Sequence, residues 1–170
     1  MIVIVFGLPG SGKSYFASRL AQMIHADYIN SDRLRLEMFA TRTYSEREKK
    51  AVYDAMLQIM KSSLYQRKNL VLDATFSTNE KRAPFIKEFN DRKDVFFIEV
   101  HSSETITIKR LKQKRPYSEA DYAIYQLILQ QWEPLEQDHL LLESTDENIS
   151  IMMQKAAAYL RLKDDKSTDQ

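Results

Sequence analysis

The stretch Gly7-Leu8-Pro9-Gly10-Ser11-Gly12-Lys13-Ser14 places residue types that can hold a phosphate chain at the spacing G-x-x-x-x-G-K-[ST]. Glycines let the backbone take positive φ and bring successive N–H groups against an anion. A helix that begins at Gly12 or Lys13 adds the positive end of its dipole. Lys13 then reaches the β- and γ-phosphates of a nucleotide, and the Ser14 hydroxyl reaches Mg²⁺. The candidate nucleotide contacts are Gly7, Pro9, Gly10, Ser11, Gly12, Lys13, Ser14 and Tyr15. The alternative is a plain glycine-rich turn between a strand and a helix. All three glycines of the chain lie in this loop.

Other residues could complete a phosphoryl-transfer site. Asp73 follows the apolar run Leu70-Val71-Leu72, where an acid can hold Mg²⁺ beside Ser14, directly or through water. Its other reading is a helix cap or turn residue. Asp32 and Arg35 stand i, i+3 and share a helix face. Asp32 could take a proton from an attacking hydroxyl, and Arg35 could clamp the acceptor or its phosphate. Their other reading is a capping acid with a surface arginine. Arg110, Lys112, Lys114 and Arg115 precede Pro116 and suit a mobile lid whose arginine stabilises charge on the transferring group. A solvated basic helix face is the alternative. Arg82 is either a further site residue or a surface arginine. His25, His101 and His139 show no metal-ligand spacing and read as structural or surface residues.

These groups need elements to carry them. Ile2-Val3-Ile4-Val5-Phe6 is a continuous apolar run, as expected of a strand buried on both faces. Phe16, Leu20 and Ile24 then recur at helical spacing, predicting a helix from Lys13 to about His25. A second strand is expected at 27–30, and a short helix at 31–39 opened by Ser31 or Asp32. The pattern Ser45-x-x-Glu48 is a capping box before a helix reaching about Arg67. Strands follow at 69–73, 94–100 and 139–143. Between and after them, helices are expected from Ser77-x-x-Glu80, over 105–114, from Ser118 through Trp132 to Pro134, and from Ser144-x-x-Glu147 to about Leu162. Alternating strands and helices imply a parallel sheet with helices on both faces. Sites in such sheets form beyond the carboxyl ends of the strands, where the loop, Asp32 and Asp73 all fall.

Composition narrows the rest. With 170 residues, 44% hydrophobic and 29% charged, the chain fits one soluble globular domain. We expect that domain over 1–163, with the lid at about 105–120 and a polar tail at 164–170. A net charge of +1 carries no global nucleic-acid signature. Without cysteine there are no disulfides or thiolate sites, which fits a cytoplasmic protein. The opening apolar run is too short for a signal peptide, and no run approaches a membrane span.

Taken together, four segments resemble the P-loop kinases related to polynucleotide 5′-hydroxyl kinase. They are Gly-Leu-Pro-Gly-Ser-Gly-Lys-Ser at 7–14, Asn-Ser-Asp-x-x-Arg at 30–35, Leu-Asp-Ala-Thr at 72–75 with Arg82 downstream, and Arg110-Leu111 followed by Lys114-Arg115 and Ser-Glu-Ala-Asp at 118–121. Bacterial predicted kinases that carry an AAA-domain ATP-binding label share the pattern, over about residues 1–145. The resemblance implies a three-layer α/β/α sandwich with a five-stranded parallel sheet in the order 2-3-1-4-5 and a helical lid. It implies ATP and Mg²⁺, with Lys13 and Ser14 on phosphate and metal, Asp32 as general base, and Arg35 toward the acceptor. The family's lid often reads Arg-Leu-x-x-Arg, but position 114 is Lys, so the lid arginine is Arg110 or Arg115. The expected activity is transfer of the γ-phosphoryl group to a hydroxyl. The acceptor is a nucleic-acid or nucleoside 5′-end, or alternatively a small molecule such as a sugar acid, antibiotic or metabolite. The rival of another class is an ATP-hydrolysing switch without acceptor. No membrane partner is expected, and the chain would act as a monomer or homodimer.

Overall fold

The structure is a computed structural model that describes residues 1–90, 92–113 and 120–165. The apolar runs become five parallel strands: β1 (Ile2–Phe6), β2 (Asp27–Asn30), β3 (Leu70–Ala74), β4 (Val95–His101) and β5 (Leu140–Glu143). Their order is β2-β3-β1-β4-β5, as expected. The first half of the chain contributes helices α1 (Lys13–Met23), α2 (Ser31–Met38) and α3 (Glu46–Tyr65). The second half contributes α4 (Asn79–Asn90), α5 (Glu104–Leu111), α6 (Tyr122–Gln130) and α7 (Ile149–Asp165).

Strand periodicity sorts the core into two layers. Ile2, Ile4 and Phe6 pack with Val52, Met56 and Met60 of α3 and Phe85 of α4. Val3 and Val5 face the other way, against Phe16 and Leu20 of α1 and Met152 and Ala156 of α7. In register, Val5 pairs with Asp73, and Asn30 also pairs with Asp73. This places Asp73 on the α1 side of the sheet, level with the loop after β1.

Helix starts differ from the sequence expectations where a neighbouring residue makes the better cap. Asn30, and neither Ser31 nor Asp32, caps α2: its side chain accepts from the N–H groups of Asp32 and Arg33. Thr78 Oγ1 accepts from Lys81 N at the start of α4, displacing Ser77 by one residue. Asp121 caps α6, whereas the expected cap Ser118 lies outside the described residues. That helix ends at Gln130, short of Pro134, and Trp132 leaves it to stack on Phe6 with ring centroids 6.1 Å apart. Helix α5 ends at Leu111, α1 ends at Met23, and α7 continues past Leu162 to Asp165. Among the described residues, no helix is long and apolar enough to cross a membrane.

Candidate active site

A cavity of about 650 Å³ opens at the carboxyl ends of the strands. Its size is that of a small-molecule site. Lys13, Ser14, Tyr15, Asn30, Asp32 and Arg110 all line it. Residues of the glycine-rich loop, the acid after β2 and Arg110 of α5 are thus brought together.

The loop has the shape of an anion cradle. Gly12 caps α1 at φ +90°, and a Cβ there would sit 2.6 Å from Ser144 Oγ and 2.9 Å from an Arg110 nitrogen. A Cβ on Gly7 would sit 2.1 Å from the Val100 carbonyl oxygen. Both positions therefore require glycine. Among the described residues, Lys13 Nζ makes only a 3.5 Å contact to the Leu8 carbonyl. Ser11 Oγ is buried with no partner among the described residues. A donor-rich loop with a loosely held ammonium and an unsatisfied hydroxyl fits a phosphate chain.

Arg110 reaches this loop from α5. It donates to the Ser11 carbonyl at 3.2 Å and to Ser144 Oγ at 3.1 Å. Its other nitrogen lies 3.3 Å from Asp146, which Lys109 also holds at 2.6 Å. Lys109 first, then Arg110, keep the Asp146 carboxyl below the usual range. Ser144 is thus part of the loop's surroundings and not the cap of α7. Lys114 and Arg115 lie outside the described residues.

Asp73 is wholly buried. Its Oδ2 accepts from the Tyr28 hydroxyl at 2.7 Å and from Asn30 Nδ2 at 2.6 Å. Its Oδ1 has no partner among the described residues. Burial first, and then the Asp73 charge, push the Tyr28 phenol up. Asn30 Nδ2 also lies 3.4 Å from Ser14 Oγ. A hydroxyl and a bare carboxylate oxygen on one side of a phosphate cradle fit Mg²⁺, which takes few protein ligands and completes its shell with water and phosphate.

Asp32 is ion-paired to Arg35 at 3.0 Å, as the i, i+3 spacing suggests. Arg35 is not a surface arginine. Its side chain is 9% exposed and also faces Glu48, whose carboxylate is almost wholly buried. In sequence Glu48 is visible only as half of a capping box. Ser45 does accept from Glu48 N, but the Glu48 carboxylate turns inward to Thr43, Tyr44 and Arg35. Arg82 does not line the cavity. It is wholly buried on the α4 side, against the edge of the Phe6–Trp132 pair with its guanidinium 5.8 Å from each ring, and donates to the carbonyls of Ser77, Thr78 and Glu133. Tyr28 carries no motif, although the strand period of β2 places Tyr28 and Asn30 on one face.

The family model described as AAA domain matches residues 2–135. No curated protein matches the chain. Among solved structures, a gluconokinase from Sinorhizobium meliloti matches 99% of this chain and 96% of its own, at 18% identity and TM-score 0.75. The Mycobacterium tuberculosis APS kinase, in complex with AMPPNP and APS, matches 94% of this chain and 96% of its own, at 19% identity and TM-score 0.70. Chaetomium thermophilum Kti12, in complex with ADP-AlF3, matches 93% of this chain and 98% of its own, at 17% identity and TM-score 0.68. All three share this chain's fold.

Proposed function

This chain belongs to the AAA domain family and has the fold of P-loop kinases, and from that premise we propose that it is an ATP- and Mg²⁺-dependent kinase that phosphorylates a hydroxyl acceptor. One observation carries the proposal: Asp32 lines the cavity that Lys13, Ser14 and Arg110 also line, and its carboxylate is ion-paired to the buried Arg35. A switch without acceptor needs no base for an acceptor hydroxyl.

The chain's residues divide the work. Gly7, Gly10 and Gly12, with Pro9 and Ser11 between them, shape the loop that binds the phosphates, and Tyr15 continues it into α1. Lys13 neutralises the β- and γ-phosphates, and Arg110 adds charge beside the loop. Asp32 accepts the proton of the attacking hydroxyl. Arg35 positions Asp32 and does not clamp the acceptor, since its guanidinium is committed to two carboxylates. Ser14 and Asp73 would hold Mg²⁺, which when bound neutralises charge on the transferring group and orients it. Arg115 would be the second lid arginine acting on the phosphates. The likeness to a gluconokinase and an APS kinase favours a small-molecule acceptor over a nucleic-acid end.

The test is ADP release from MgATP with D-gluconate, adenosine or a 5′-hydroxyl oligonucleotide as acceptor. We expect one class to raise release above the rate with water and to do so through Asp32. If none of a broad hydroxyl panel does, and Asp32→Asn leaves hydrolysis unchanged, the chain is an acceptor-free ATPase.

A further inference from the structure

Asp73 has an asymmetric hydrogen-bond shell. Two donors, the Tyr28 hydroxyl and the Asn30 amide, converge on Oδ2. Oδ1 is equally buried and has no partner among the described residues. A carboxylate kept only to tie β2 to β3 would have both oxygens satisfied, because each buried orphan costs its full desolvation. Donors crowded on one oxygen, with the other left bare, orient a carboxylate toward a cation.

Asn30 does more than hold Asp73. Its Nδ2 lies 2.6 Å from Asp73 Oδ2 and 3.4 Å from Ser14 Oγ, so one amide spans both groups that would hold the metal. Its Oδ1 accepts from Asp32 N at 3.1 Å and Arg33 N at 3.0 Å. These contacts fix which way the amide points. Reversed, it would set an NH₂ group against two N–H donors and an oxygen against a carboxylate. Parallel register produces the arrangement, since Asn30 pairs beside Asp73 and Tyr28 lies two residues earlier on the same face.

We propose that Tyr28 and Asn30 are positioning residues for the magnesium nucleotide. Tyr28 and Asn30 hold Asp73 so that Oδ1 is left for the ion. Asn30 also caps α2, so the same side chain keeps the metal side of the site in register with Asp32. The proposal rests on the reading of Ser14 and Asp73 as the metal-holding pair.

Two variants separate these roles from a merely structural one. Tyr28→Phe removes one O–H and keeps the ring. Asn30→Ser keeps an oxygen able to cap α2 and removes the amide. Manganese affinity is read by electron paramagnetic resonance in the presence of a non-hydrolysable ATP analogue. ATP affinity is read by calorimetry with Mg²⁺ and with EDTA. Each variant should weaken Mn²⁺ binding about 10- to 100-fold and leave ATP binding in EDTA unchanged. Wild-type Mn²⁺ affinity in both variants overturns the proposal and leaves the metal reading standing. An equal loss of ATP affinity with Mg²⁺ and with EDTA makes the residues structural and overturns it as well. If the wild-type complex itself binds no Mn²⁺, the reading of Ser14 and Asp73 falls, and this proposal falls with it.

Discussion

Arg35 Nε lies 3.1 Å from Glu48 Oε1, and both side chains are almost wholly buried. The approach is off axis, so neither atom completes a hydrogen bond and the pair is held by charge. Glu48 is itself fastened by Thr43, whose N–H donates at 2.7 Å and whose hydroxyl donates at 3.0 Å. A chain of contacts therefore runs from the loop before α3, through Glu48 and Arg35, to the carboxylate of Asp32. This is the physical reason for treating Arg35 as a strut.

Glu48→Gln keeps the shape and removes the charge that opposes Arg35. Asp32 would then lose its fixed backing, and a misplacement of about 1 Å can cost about 10²-fold in rate. We expect kcat to fall toward that extent with ATP affinity unchanged, measured by acceptor-stimulated ADP release and calorimetry. The Thr43 N–H, ahead of the other contacts, holds the Glu48 carboxyl below its ordinary value of 4.5. A depressed carboxyl stabilises the fold above its unfolded value, and that contribution is lost as pH falls through the folded one. Thermal melts between pH 6 and 3 should therefore fall more steeply for wild type than for Glu48→Gln.

Gly12→Ala should destabilise the loop by at least about 1–2 kcal/mol, the cost of a left-handed conformation for a residue with Cβ. It must also displace Ser144 Oγ or the Arg110 guanidinium. Adding Ser144→Gly relieves one contact and leaves the positive φ, so urea denaturation should show only partial recovery. Full recovery would place the whole cost in the clash.

His139 Nε2 lies 3.4 Å from Glu99, and Nδ1 donates to the Gln137 carbonyl at 2.8 Å. The Glu99 contact, ahead of the others, raises the imidazole above its ordinary value of 6.5. A raised histidine contributes stability that is fully present below 6.5 and is lost as pH rises through the folded value. Urea midpoints between pH 5.5 and 8.5 should decline for wild type relative to His139→Gln. Parallel curves would show that the pair adds nothing.

The strands and the P-loop were legible because their signals are local: apolar runs, glycines and a lysine at fixed spacing. Asp32 and Arg35 were legible as a pair because helical spacing joins them. Glu48 was not, because its partner sits 13 positions earlier on another helix, and its local pattern matched a capping box equally well. Arg82 is neither the site residue nor the surface arginine that its sequence position allowed, for a related reason. Its place early in the helix after β3 left the site and the surface equally open, whereas carbonyls of the loop before α4 and the stretch after α6 draw it into the core. Tyr28 was silent in sequence because only the parallel register of β2 and β3 brings it to Asp73.

Lys13→Ala should weaken ATP binding or turnover strongly, by about 3 to 5 kcal/mol, as expected for a charge at a phosphoryl centre. The fold should hold, because its described tie to the protein is a single contact at 3.5 Å. Calorimetry with ATP and a urea melt check both parts. Wild-type binding together with normal turnover would remove Lys13 from the site.

Asp32→Asn decides between a kinase and a switch. Asn is nearly isosteric and still accepts from the Arg35 guanidinium, while the cap of α2 belongs to Asn30 and is untouched. Fold stability should therefore change little. As a general base Asp32 is worth about 10² to 10⁴ in rate, so acceptor-stimulated ADP release should fall by that factor. ATP affinity should remain, because Lys13 and the loop meet the phosphates and Asp32 meets the acceptor. A switch predicts a different pair of results, with basal hydrolysis unchanged in Asp32→Asn and no acceptor that raises it. A third result is also decisive. If an acceptor is turned over at the wild-type rate by Asp32→Asn, the proton leaves by another route, and catalysis rests on positioning by Arg110 and Lys13.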